Sequence, residues 1–64
     1  MTPEQIYAWC KDHKDELLAA QEAGDSNART IIATHDMMVR YPDHIAFGIL
    51  EMSVEERIKR QDKT

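Results

Sequence analysis

Cys10 is the only cysteine in this chain of 64 residues. Its solitude excludes an internal disulfide, the staple on which many domains this short depend. Glycine is almost as scarce. Gly24 and Gly48 stand far apart, which excludes the glycine-rich loop that cradles a phosphate. Met1 is followed by Thr2, Pro3 and Glu4 instead of a basic region and an apolar run, so no export signal is expected. The longest strongly apolar stretch, Ile45 to Leu50, falls far short of the ~20 residues that span a bilayer. A lone thiol without an export signal points to the cytoplasm, with no membrane contact.

Basic residues are also in deficit. Eight lysines and arginines face twelve acids, giving a net charge of −4. The imbalance sits in residues 1–25, where Glu4, Asp12, Asp15, Glu16, Glu22 and Asp25 oppose only Lys11 and Lys14. A nucleic-acid binder needs a basic footprint. The one available is short: Arg57, Lys59, Arg60 and Lys63.

What the chain does have is helix punctuation. Thr2 is a good N-cap, Pro3 suits the first helical position, and Gln5 completes a capping box with Thr2. Gly24 supplies the left-handed residue that ends a helix, and Asp25 or Ser26 caps the next. Pro42 stops that second helix. Asp43 is read as the cap of a third segment, and Ser53 with Glu56 as a second capping box that opens a fourth. The expected helices are 3–23, 26–41, 44–52 and 54–61, in one domain over residues 1–64. The run from His44 to Leu50 could also be a strand, but it has no partner strand, so helix is preferred.

At ~100° per residue, Ile6, Cys10, His13, Leu17 and Ala20 share one line of the first helix, with Trp9 on its flank. Ala28, Ile32, His35 and Val39 share a line of the second, with Ile31 and Met38 beside it. The expected fold is therefore all-α: a small domain of three to four helices built on a long antiparallel hairpin, with the third segment plugging its open end. Two hairpins could pair into a dimeric four-helix bundle, and a homodimer is expected.

His13 and His35 are nearly equidistant from Gly24, so the hairpin should bring them to one level as a buried polar pair. With Cys10, Asp12, Asp36 or His44 they could hold a metal, but no compact zinc signature is present. No metal or other cofactor is expected. Cys10 reads as a small buried hydrophobe, with no oxyanion donor or cleft implied beside it, and an enzyme is not expected.

The remaining function class is macromolecular binding. Tyr7, Leu18, Met37 and Tyr41 lie off the main stripes and are candidate partner-binding residues, together with Arg57 and Arg60. The expectation is a protein-binding adaptor, regulator or inhibitor. The chain reads as a complete small product, and its size and charge fit a phage or mobile-element inhibitor of a host protein. The alternative is a DNA-binding regulator using the C-terminal basic helix, whose competing reading is a solvated face laced by Glu55–Lys59 and Glu56–Arg60 pairs.

Overall fold

The computed structural model describes residues 1–42 and 45–62, with the backbone alone at Asp62. It is built of four packed helices: α1 (Pro3–Asp12), α2 (Lys14–Glu22), α3 (Ser26–Arg40) and α4 (Phe47–Asp62). No strand occurs among the described residues. The expectations placed on Asp43, His44 and Lys63 fall outside them.

The local signals act where they were read. Thr2 Oγ1 accepts from Gln5 N at 3.2 Å, and Thr2 N donates to Gln5 Oε1 at 2.8 Å, closing the capping box. Gly24 adopts φ +94°, a conformation that strains any residue with a Cβ. Asp25 is the cap of α3, its Oδ1 accepting from Ala28 N at 3.1 Å.

Three expectations are corrected. The first helical arm is not one helix to residue 23: it bends at His13 (φ −107°, ψ 13°). The His13 ring takes Trp9 O at 2.8 Å while its own backbone N–H also reaches that oxygen at 3.1 Å. A side chain that competes for the i−4 carbonyl is a recognised cause of helix bending. Next, Ser53 does not open a new helix. It lies inside α4, because Ala46, Leu50 and Val54 recur every four residues and bury one continuous stripe. A cap is worth about 1 kcal/mol, less than the burial of one such side chain.

The third correction concerns α3. Ala28 of the expected line is buried, but the rest of the buried face is Asn27, Ile31, Thr34 and Met38, turned roughly 100° from Ile32, His35 and Val39. Val39 is 64% exposed. The rotation follows from α4. The central helix packs on α1 and α2 on one side and on α4 on the other, so its buried arc is centred between them. Thr34 is tolerated there because its hydroxyl donates to Thr30 O at 2.7 Å. The core is one cluster drawn from all four helices, with Ile6, Leu17, Ile31, Leu50 and Val54 fully enclosed. Of the segment expected to plug the open end, Phe47 and Leu50 turn inward, while Ile45, Ile49 and Met52 face out.

Candidate functional site

A groove runs along the outside of the molecule between α1–α2 and α3. One wall is Tyr7, Lys11, Lys14 and Leu18, which share a helix face at i, i+4, i+7 and i+11. The other wall is Ile32, His35, Asp36 and Val39. The part around Leu18, Ile32 and His35 has a volume of about 360 Å³ and shares Lys11, His35 and Val39 with a shallower hollow that ends at Tyr7 and Pro42. Tyr7 to Leu18 spans about 16 Å at the rise of an α-helix.

This groove is a consequence of the rotated α3. Ile32 and Val39, read as seam residues, become its wall because the true seam lies one residue back. Tyr7 closes one end, its ring 6.0 Å from both His35 and Phe47. His35 is half-buried. Burial depresses its pKa below 6.5; nearby Asp36 opposes the shift and Lys14 adds to it. Asp36 is engaged on the outer side by Arg40 at 3.4 Å. Among the described residues neither Lys11 nor Lys14 has a salt-bridge partner.

The two histidines do not form the expected pair. His13 is half-buried and its ring stacks on Trp9, with centroids 4.2 Å apart at 18°. Since a carbonyl only accepts, the hydrogen bond to Trp9 O places the proton on His13 Nδ1. Tyr7 and Trp9, two residues apart, point to opposite flanks of α1, and each takes one of the rings. Among the described residues no three His, Cys, Asp or Glu side chains group to hold a metal.

The other candidates scatter. Leu18 and Tyr7 line the groove, whereas Met37 on α3 and Tyr41 just past its end are exposed outside it. Arg60 is exposed and pairs with Glu56 at 2.7 Å, the i,i+4 contact read from the sequence. Arg57 is corrected most sharply. Its side chain is only 12% exposed, and Nη1 donates to Asp25 Oδ2 at 2.9 Å and to Asn27 Oδ1 at 3.2 Å. Asn27 Nδ2 completes the clamp on Ser53 O at 3.0 Å. Arg57 therefore ties α4 to the start of α3, and its guanidinium holds the Asp25 carboxyl below the usual carboxylate range. The spacing that marked Arg57 as a surface cation gave no sign of this contact across 32 residues.

Cys10 lies at the base of the groove wall, and burial pushes its thiol up to about 11. It is a protonated, packed thiol at neutral pH. Among the described residues no helix is long and apolar enough to cross a membrane. The chain matches no protein-family model, no curated protein sequence and no solved structure.

Proposed function

We propose that this chain is a cytoplasmic protein-binding module, an adaptor, regulator or inhibitor, that works through the groove between α1–α2 and α3. The observation that carries the reading is the exposed apolar wall. Leu18 and Val39, both exposed, line one open channel with the partly buried Ile32, at a place where a folded chain gains nothing from showing apolar surface to water. Apolar floors with charged rims are the usual form of grooves that receive a helix. The protonated Cys10 thiol supports binding over nucleophilic chemistry. The DNA-binding alternative draws less support, since Arg57 is engaged internally and Arg60 is paired.

Homodimerisation belongs to the same proposal. Ile49 and Met52 are exposed on α4, and Ile45, in the turn just before it, is 91% exposed. A second copy seated there leaves the groove open.

The test is affinity capture with the native chain and two equally folded variants, Leu18→Glu with Val39→Glu in the groove, and Ile49→Glu on α4. A protein retained by native chain and Ile49→Glu but released by the groove variant supports the reading. Retention that ignores the groove variant refutes it. Binding of a labelled DNA duplex that is lost in Lys59→Glu with Arg60→Glu would establish the alternative instead.

A further inference from the structure

Resting on that reading, we infer that the groove's occupant is an acidic amphipathic helix of a partner protein. Among the described residues, the charged side chains on the groove wall are Lys11, Lys14 and Asp36, and Asp36 is engaged by Arg40. What is left facing an occupant is two ammonium groups less than one helical turn apart. They are the only cations of an arm that carries Glu4, Asp12, Asp15, Glu16 and Glu22, and none of those acids lines the groove. The chain as a whole is acidic, yet this apolar channel is rimmed on α1–α2 by positive charge. At physiological salt the screening length is about 8 Å, so a carboxylate on the rim feels those lysines more than the acids around the helix.

Shape selects a helix over an extended strand. A helix pairs its backbone N–H and C=O groups within itself, so it can lie in an apolar channel without leaving backbone groups unpaired. Every wall element here is itself helical, with its backbone bonds satisfied internally, and offers an extended peptide no edge to pair with. The channel's length, at most about 16 Å because the arm bends at His13, accepts up to about three turns. Apolar anchors at i, i+3 or i+4, and i+7 would meet Leu18, Ile32 and Val39. Glutamates or aspartates one turn apart on the flank would meet Lys14 and Lys11.

The test uses three labelled synthetic helices of equal length, read by fluorescence anisotropy against the full chain. The first has a leucine face flanked by glutamates, the second has lysines in place of the glutamates, and the third scrambles the first. The expected result is that the acidic helix binds about tenfold tighter than the basic one, as two favourable pairs become two repulsions. The preference should weaken with salt, reverse in the double variant Lys11→Glu with Lys14→Glu, and vanish in Val39→Glu. All three substitutions are at exposed positions, and circular dichroism confirms the fold of each variant.

Equal affinity for the acidic and basic helices, with both lost in Val39→Glu, overturns the acidic partner while leaving the groove as the binding site. Binding that survives Val39→Glu overturns the groove itself. No binding of either helix up to about 1 mM, the edge of specific recognition, also overturns the acidic helix; the capture experiment then decides the groove alone. Sedimentation adds one more outcome: a dimer dissociated by Val39→Glu but not by Ile49→Glu means that a second copy fills the groove, and the inference fails.

Discussion

Replacing Arg57 with alanine should cost about 2 kcal/mol of folding stability. Two hydrogen bonds from Nη1 are lost, to Asp25 Oδ2 at 2.9 Å and to Asn27 Oδ1 at 3.2 Å. Asn27 is 7% exposed, so its orphaned carbonyl oxygen cannot recover a full water shell. Bonds to charged groups are worth roughly 1.5–3 kcal/mol and a stranded buried acceptor roughly 1–3. Asp25 is 31% exposed, so water screens part of the ion pair and the sum is taken near the lower end. For a domain of this size, 2 kcal/mol lowers the melting temperature by about 8–16 °C. Trp9 is the only tryptophan, so urea unfolding can be followed by its emission and checked by circular dichroism. Arg60→Ala is the internal control: its partner Glu56 is exposed, and its loss should cost under about 0.5 kcal/mol. A double-mutant cycle with Asp25→Ala removes the capping contribution, which is common to both sides, and should leave a coupling of about 1 kcal/mol. If Arg57→Ala and Arg60→Ala are equally benign, Arg57 is a surface cation and the clamp between α3 and α4 does not hold the fold.

Other consequences follow from the same contacts. Ser53→Ala should be neutral or slightly stabilising, because Ser53 is inside α4 and alanine is the better helix former; a loss near 1 kcal/mol on urea unfolding would restore it as a cap. Leu50→Ala should cost about 2–5 kcal/mol and leave the chain largely unfolded by circular dichroism at 37 °C; a cooperative melt close to the native one would mean that α4 is not part of the core. The chain should melt lower at pH 5 than at pH 7.5. The folded pKa of His35 is depressed, so its contribution is complete above the unfolded value of 6.5 and is lost as pH falls through the folded one. Asp25, also depressed, acts in a separate window below about 3.8. A His35→Gln variant should lose the upper-window dependence, and an unchanged pH profile in that variant would assign it elsewhere.

The sequence announced boundaries better than faces. The Thr2–Gln5 box, Gly24, Asp25 and Pro42 work through contacts within three or four residues, so the residues themselves carry the signal. The buried side of α3 was not legible, because it depends on where a distant helix docks. Ile32, His35 and Val39 fit an amphipathic line as well as Ile31, Thr34 and Met38 do, and a buried threonine advertises nothing until its hydroxyl is seen bonded to Thr30 O. The Ser53 box failed for the same reason: a local preference yielded to the Ala46–Leu50–Val54 stripe. Of the candidate site, the Tyr7–Leu18 flank over Lys11 and Lys14 could be read from spacing on one helix. Its opposite wall could not, since Val39, read as core, is exposed, while Ile32 packs on the core and still lines the groove. Arg57 shows the limit most clearly, because its partners lie at the start of α3 and no periodicity links them.

The most direct measurement is a map of amide chemical-shift changes on the isotope-labelled chain when the captured partner is added. The account predicts that the perturbed amides cluster at Lys11, Lys14, Leu18, Ile32, His35 and Val39, with the outer face of α4 unmoved. Shifts confined to α4 from Ile49 to Arg60, with the α1–α2 wall silent, would contradict it.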